Sequence, residues 1–128
     1  MDNKLQIQAV YLAFAQGNLE PMLTLMHAET EWEEAAGGPY GGIYTGTEAI
    51  MANVFGRIQQ EWQSFQVIPQ QFIADGDTVV VLGDYDATHG STEENFTSPF
   101  AHVWTLADGK LKRFQQFVDT HLHNQVLP

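Results

Sequence analysis

The sequence predicts an α+β fold in which three N-terminal helices pack against a curved, mostly antiparallel sheet. The first half of the chain carries apolar residues at helical spacing, whereas the second half alternates around two Asp-Gly turns at 75–76 and 108–109. The 128 residues are 44% apolar and include 8 Phe, 4 Tyr and 3 Trp, which is enough for one core. We therefore expect a single domain over residues 1–128.

The three helices are predicted from the spacing of apolar side chains. The first covers residues 5–12 and is ended by Gly17-Asn18, and a short second helix covers residues 19–26. Thr47 is the expected N-cap of the third helix, because its hydroxyl can accept a hydrogen bond from a free backbone N–H. The apolar face of that helix is Ile50, Val54, Phe55, Ile58 and Trp62.

The strands are predicted from alternation. Residues 30–34 alternate so that Thr30, Trp32 and Glu34 share one face. Two hairpins follow, because the Asp-Gly pairs are typical of tight turns between antiparallel strands. A sheet folded over helices leaves a pocket between the two layers. The four strands of the hairpins are expected at residues 65–74, 78–89, 95–106 and 111–120.

The charge balance limits the classes of partner. The chain has 16 Asp and Glu against 5 Lys and Arg, a formal net charge of −11, so nucleic acids and anionic membranes are disfavoured by electrostatic repulsion. There is no cysteine, which excludes disulfides and thiolate chemistry. The polar N-terminus and the absence of a long apolar run predict no membrane segment and a cytoplasmic location.

Short motifs follow one another along nearly the whole chain. They are Tyr11-Leu12-Ala13-Phe14, Gly17-Asn18, Trp32-Glu33-Glu34, Gly42-Ile43-Tyr44-Thr45-Gly46, Gly76-Asp77-Thr78-Val79-Val80-Val81, Ala101-His102-Val103-Trp104, Asp108-Gly109-Lys110-Leu111 and Val118-Asp119-Thr120. In this order they resemble the ketosteroid-isomerase-related, SnoaL-like branch of the nuclear transport factor 2-like superfamily. The resemblance implies a conical barrel of the cystatin-like type with a deep apolar cavity, and a homodimer formed by the outer sheet face. It implies no single activity, because this fold hosts isomerases, cyclases, epoxide hydrolases and non-catalytic binders.

Glu34 is the first candidate for chemistry. It matches the position of the isomerase base, and Trp32 on the same face would help to raise the pKa of its carboxyl by burial. The isomerase oxyanion donors, however, fall on Ala101 and near Val10, which cannot donate from a side chain. The alternative is that Glu34 belongs to an acidic strand end that faces water.

Asp119 is the second candidate. It is similar in position to the aspartate that SnoaL-like cyclases use as a general acid/base, and its apolar neighbours favour a raised pKa. The alternative is an N-cap for a C-terminal turn over residues 121–125. If this segment is a strand instead, Asp119, His121 and His123 project to one side as metal ligands, a further alternative that we do not favour.

His102 is the third candidate, and its orientation depends on register. A two-residue turn at 108–109 pairs His102 with Gln115, which places His102 on one face with Asp119. The isomerase resemblance instead directs Ala101 and Gln116 into the cavity and turns His102 toward a dimer interface. His102 is then either a catalytic group with a near-neutral pKa or a hydrogen-bonded interface histidine.

The aromatic residues suggest what the cavity binds. A mostly apolar metabolite would be enclosed by aromatic walls, although such residues are also typical of plain core. The candidates for lining are Tyr11, Phe14, Trp32, Tyr44, Phe55 and Phe72, with Gln116 as a polar contact, whereas Trp104, Phe114 and Phe117 are candidates for a dimer interface.

These observations favour a small homodimeric enzyme, an isomerase, cyclase or hydrolase, with Glu34 or Asp119 as general acid/base. We expect it to need neither a cofactor nor a metal. The alternative is a binding or dimerisation module without chemistry.

Overall fold

The computed structural model describes residues 2–128, which form helices and a six-stranded sheet. The helical elements are α1 (Asn3–Phe14), α2 (Glu20–Leu25), α3 (Thr47–Ile50), a π-helical turn (Met51–Phe55), α4 (Gly56–Glu61) and α5 (Thr120–Gln125). The strands are β1 (Glu31–Glu34), β2 (Gly42–Thr45), β3 (Trp62–Asp75), β4 (Thr78–His89), β5 (Asn95–Ala107) and β6 (Lys110–Val118).

The strands lie in the order β2-β1-β6-β5-β4-β3. All neighbours are antiparallel except β1 and β6, which run parallel. Pro69 lies within β3 but breaks no essential ladder hydrogen bond, because β3 is an edge strand and its register shifts at that point. The predicted α+β architecture, helices packed on a curved and mostly antiparallel sheet, is confirmed.

The third predicted helix differs in detail from its expectation. It runs from α3 through the π-helical turn into α4 without a break. The N-cap is Gly46 rather than Thr47, because the chain turns there with φ of 89°, a conformation that favours glycine. Trp62, predicted on the helix, begins β3 instead, and its ring is buried. The helical period continued across the junction in sequence, which concealed the boundary.

Two further elements differ from the prediction. The Gly-rich segment that was expected to be a turn contains β2, which pairs with β1 but has no buried residue. An exposed edge strand leaves no hydrophobic alternation in the sequence, so it was missed. The last strand ends at Val118 rather than at Thr120, because Asp119 caps α5 there.

One irregularity in the β5–β6 hairpin decides which residues face inward. The predicted two-residue turn is present, since Ala107 pairs with Lys110 and Leu106 with Leu111. Thr105 then pairs with Arg113, so Lys112 is an extra residue and the register moves by one. His102 consequently pairs with Gln116, and the predicted pairing with Gln115 is wrong.

The concave face of the sheet forms the core against the helices. The largest fully buried side chains include Trp104, Tyr11, Ile7, Met22 and Ile50, which come from both layers. Within residues 2–128, each helix falls short of the length and apolar character that crossing a membrane requires. The cytoplasmic location stays a prediction.

Candidate functional site

A cavity of about 510 Å³ lies between the helices and the concave face of the sheet. Its walls are mostly aromatic and aliphatic, which is typical of sites for small organic ligands. The apolar lining includes Phe14, Trp32, Phe55, Trp104 and Phe114. The polar lining includes Glu34, Tyr40, Tyr85, His102, Gln116 and His123.

Glu34 is a carboxylate inside this cavity. Strand alternation places it on the same inward face as Trp32, and only 6% of its surface is exposed. The indole Nε1–H of Trp32 donates a 2.9 Å hydrogen bond to Glu34 Oε2. Burial raises the pKa of Glu34 to about 7, and the Trp32 bond opposes that shift only in part. Glu34 is therefore partly protonated near neutral pH, as a general acid/base must be.

The other acidic residues of β1 are in different surroundings. Glu31 is exposed, and Glu33 points to the outer face, where it forms an ion pair with Arg113 of β6. The expectation that this strand end faces water holds for Glu31 but not for Glu34.

His102 lies at the centre of a chain of buried hydrogen bonds. Its Nδ1 is 2.6 Å from the hydroxyl oxygen of Tyr11, and its Nε2 is 2.5 Å from that of Tyr85. Trp104 Nε1–H donates to the Tyr11 hydroxyl at 2.8 Å. Gln116 Nε2–H donates to the Tyr85 hydroxyl, also at 2.8 Å. Because burial lowers the pKa of His102 to about 3, the ring is neutral at physiological pH.

The direction of these bonds follows from the available donors and acceptors. The Tyr11 hydroxyl accepts from Trp104 and the Tyr85 hydroxyl accepts from Gln116, so among the described residues each has only a His102 nitrogen as acceptor for its own proton. A neutral ring accepts from one of the two, and we assign that bond to Tyr11, because Tyr11 lies in the core where a free proton would find no acceptor, whereas Tyr85 lines the cavity. The proton of the neutral ring is then on Nε2, which donates to Tyr85. Tyr85 therefore accepts twice, and its hydroxyl proton is left to point toward the cavity that Tyr85 lines.

The orientation of Gln116 is fixed in the same way. Its Oε1 accepts from the backbone N–H of Ala35 at 3.0 Å, which leaves the amide Nε2 as the donor to Tyr85. The segment after Glu34 is thus tied directly to the hydrogen-bond chain on β4, β5 and β6. Burial, together with the nearby Glu34 carboxylate, raises the pKa of the Tyr85 phenol well above its usual value.

Asp119 lies outside the cavity. It is exposed, and its Oδ1 accepts from the backbone N–H of Leu122 at 3.1 Å as the N-cap of α5. The expectation that apolar neighbours shield the carboxylate is wrong, because Phe117 itself is half exposed and points to the outer face. The cap interpretation accounts for Asp119. His121 and His123 belong to a helix rather than a strand, so the arrangement required for a metal site there is absent.

The predicted lining residues divide into two groups. Phe14, Trp32, Phe55 and Gln116 line the cavity as expected. Tyr11 is buried behind His102 and packs edge-on against Phe72. Both residues therefore support the cavity from the core and do not line it. Tyr44 donates to the carbonyl of Tyr40 from β2 and also lies outside the lining.

The bulge also corrects the expected faces of β5 and β6. His102 and Trp104 point inward, not toward a dimer interface, and Phe114 joins them by stacking on Trp32 at 3.7 Å between ring centroids. Ala101, where the resemblance placed an oxyanion donor, pairs with the outward Leu82 and is directed away from the cavity.

Tyr85, Tyr40 and His123 were missed as cavity residues. Tyr85 continues the inward alternation of Val79 and Val81, so strand period alone signals its face. Tyr40 lies in the loop before β2, where its hydroxyl donates to Glu61 and accepts from Trp62. No pattern in the sequence predicts these contacts of Tyr40. Across residues 2–128, no group of three or more potential metal ligands is found.

The curved sheet, the packed helices and the cavity between them define the class of cone-shaped α+β proteins that the sequence resembled. A family model described as SnoaL-like domain matches residues 7–114, and the chain belongs to that family. No curated protein matches the chain.

Solved structures support the same assignment. An NTF2-like protein from Burkholderia thailandensis E264 is 32% identical, with a TM-score of 0.95 over 100% of this chain and 99% of that one. An NTF2-like protein of unknown function from Burkholderia pseudomallei K96243 is 24% identical, with a TM-score of 0.88 over 98% of both chains. TerC, co-crystallised with polyporic acid, is 28% identical, with a TM-score of 0.85 over 97% of this chain and 96% of TerC.

We predict that replacing Glu34 with glutamine stabilises the protein at alkaline pH. Folding raises the pKa from 4.5 to about 7, so the stability that wild type has below pH 4.5 is lost as pH rises through about 7. Glutamine keeps an acceptor for Trp32 without charge. Urea unfolding at about pH 8 should show Glu34→Gln more stable by about 3 kcal/mol, and by less than about 1 kcal/mol at about pH 5.

The exposed Glu31→Gln variant is the control for that measurement, since it removes the same charge from the same strand. An equal pH-dependent gain in Glu31→Gln would contradict the assignment to Glu34.

We predict that Tyr11→Phe costs about 2 to 4 kcal/mol, because it leaves Trp104 N–H and His102 Nδ1 without a buried partner. Nitrogen-15 NMR should show His102 in the wild type as the neutral Nε2–H tautomer, and should show that preference weakened in Tyr11→Phe. Tyr44→Phe, which removes a hydroxyl outside the cavity, should leave the His102 signals unchanged. A protonated Nδ1 in the wild type would reverse the deduced direction of the chain.

Proposed function

We propose that this protein is an enzyme that binds a small, mostly apolar metabolite in the cavity and transfers a proton with Glu34. The observation that carries the proposal is a carboxylate with a pKa of about 7 inside an aromatic cavity of about 510 Å³. A structural role does not require such a group, because burying an unpaired carboxylate costs free energy. Perturbed carboxylates in clefts are typical of acid/base catalysis.

The supporting geometry favours a reaction at a carbon next to a carbonyl group. Ionised Glu34 removes the proton, and the electron pair of the broken C–H bond moves onto the carbonyl oxygen. The Tyr85 hydroxyl, whose proton is left free when His102 accepts from Tyr11, is placed to donate a hydrogen bond to that oxygen. Return of the proton from Glu34 to another carbon completes an isomerisation. In a cyclisation, the enolate carbon attacks a second carbonyl, the π electrons of that carbonyl move onto its oxygen, and the proton held by Glu34 passes to the resulting alkoxide.

Tyr85 supplies what the sequence alone lacked. The resemblance placed the oxyanion donors on Ala101 and near Val10, neither of which carries a donor. In the fold, Tyr85 of β4 reaches the cavity from a different strand, and the Trp104–Tyr11–His102 chain orients its hydroxyl. A hydrolase remains compatible with the carboxylate alone, but the Tyr85 donor favours enolate chemistry.

A binding module without chemistry is supported less well. A dimerisation module would have a cavity filled by side chains, and either kind of module would leave its carboxylates in water. Asp119 fits that expectation, whereas Glu34 does not.

The test begins with ligand binding and then measures turnover. TerC was co-crystallised with polyporic acid, so polyporic acid is the first probe, and binding should quench fluorescence from Trp32 and Trp104, which line the cavity. On a substrate found by screening cyclic ketones, Glu34→Gln should lower kcat by about 100-fold or more. The wild-type kcat/KM should rise with pH through about 7, because the ionised carboxylate is the base.

Asp119→Asn separates the two candidate carboxylates. Asparagine caps helices as well as aspartate does, so the fold should be kept and turnover should change little. Loss of turnover in Asp119→Asn with full turnover in Glu34→Gln would overturn the proposal.

We also propose that two copies of the chain pair through the outer face of the sheet. Two cross-strand rows there are apolar and partly exposed. One row is Leu82, Ala101 and Phe117, and the other is Ile73, Val80 and Val103. Phe117 is 50% exposed and Ile73 44%, an arrangement that favours burial against an equivalent face.

Light scattering after gel filtration tests the pairing. The wild type should have the mass of a dimer. Phe117→Glu should be a monomer, because pairing would bury the unpaired glutamate charge in the interface. Leu12→Glu, at a 72% exposed position on α1, is the control and should leave the dimer intact. A monomeric wild type would rule out the proposed pairing.

A further inference from the structure

The cavity has a second polar region, formed by His123 of α5. Only 3% of His123 is exposed, and the residue lines the cavity. Its ring stacks on Phe96 with 4.6 Å between centroids and lies 5.4 Å from Trp62 and 6.0 Å from Phe65. The imidazole is thus the polar member of an aromatic cluster, of which Phe65 also lines the cavity.

Both ring nitrogens of His123 lack a hydrogen-bond partner among the described residues, and both are sealed from solvent. A neutral imidazole carries one donor and one acceptor, and leaving either unpaired in the interior is unfavourable. His102 shows the usual arrangement, since both of its nitrogens are hydrogen-bonded. Burial lowers the pKa of His123 to about 4, so protonation does not relieve the deficit at neutral pH.

The position of His123 does not depend on its nitrogens. Asp119 caps the start of α5, and Asn124 donates to the carbonyl of Gly37 at 2.7 Å. The Thr92 hydroxyl donates to the carbonyl of Val126 at 2.6 Å, just after the helix. These contacts hold the short helix against the sheet without the His123 nitrogens. The ring of His123 contributes packing only, and a phenylalanine at position 123 would pack equally well.

We propose that His123 is a ligand-binding residue whose imidazole ring turns on ligand binding, so that a nitrogen faces the cavity that the residue lines and hydrogen-bonds a hydroxyl or carbonyl group of the bound molecule. This inference rests on the proposed function, because it requires the cavity to hold a ligand. It also defines the ligand class further. The molecule has a ring that packs against the aromatic lining of the cavity and two oxygen substituents, one for Glu34 and Tyr85 and a second for His123.

The experiment compares His123→Phe with the wild type. In urea unfolding without ligand, His123→Phe should be at least as stable as wild type, because the aromatic stack is kept and two unpaired polar atoms are removed. A lower urea midpoint would overturn the inference, since it would show that the nitrogens make structural bonds.

Binding is measured with two probes that differ by one hydroxyl group, a naphthol and a dihydroxynaphthalene with hydroxyls at opposite ends of its rings. Wild type should bind the dihydroxy compound about tenfold more tightly than the naphthol, and His123→Phe should bind the two equally. His121→Phe, an exposed position on the same helix, should behave as wild type.

The outcomes separate the two proposals. A dihydroxy preference that survives in His123→Phe overturns the role of His123 and leaves the proposed function standing. If the wild type binds none of the three probes (the naphthol, the dihydroxynaphthalene and polyporic acid), the ligand class in the proposed function is overturned. The inference on His123 is then overturned as well.

Discussion

One extra residue in β6 determines the interior of this protein. Because Lys112 is bulged out of the β5–β6 ladder, Phe114 and Gln116 face the cavity together with His102. A regular hairpin would have turned Gln116 to the outer face and brought Gln115 inward, since strand side chains alternate. The hydrogen bonds from Gln116 to Tyr85, and from Ala35 to Gln116, exist only in the shifted register.

The same shift completes the aromatic support of Glu34. Trp32 stacks on Phe114, its partner in the parallel β1–β6 ladder, and the fixed indole then directs its N–H to the carboxylate. Among residues 2–128, the Glu34 carboxylate has this one side-chain hydrogen bond to offset burial, which is why burial dominates its pKa. The interior thus combines a carboxylate that has little hydrogen-bond support with a continuous hydrogen-bonded chain from Trp104 through Tyr11 and His102 to Tyr85. Under the proposed function, burial of Glu34 costs stability while it raises the carboxyl pKa into the range that suits proton transfer.

Much of the architecture was predictable because it is local. The Asp-Gly turns, the alternation of β4 and β5, and the first two helices follow from spacing and turn chemistry. β2 was missed because it buries none of its residues, and Trp62 was placed on a helix because its burial suits either element. Glu34 was predicted to share a face with Trp32, and the sequence left open whether that face is buried or turned to water. Tyr85 and His123 were not predicted to line the cavity, since each becomes part of a site only when distant elements meet.

The sequence by itself determined the fold class, the family resemblance, the acidic charge and the pairing of Glu34 with Trp32, because these depend on composition and on neighbours within a few residues. Only the tertiary structure decided the faces of His102, Gln116 and Ala101, because a bulge changes register without leaving a pattern in the sequence. It also decided that Asp119 caps a helix at the surface while Glu34 lies inside, since burial is a property of the whole packed molecule.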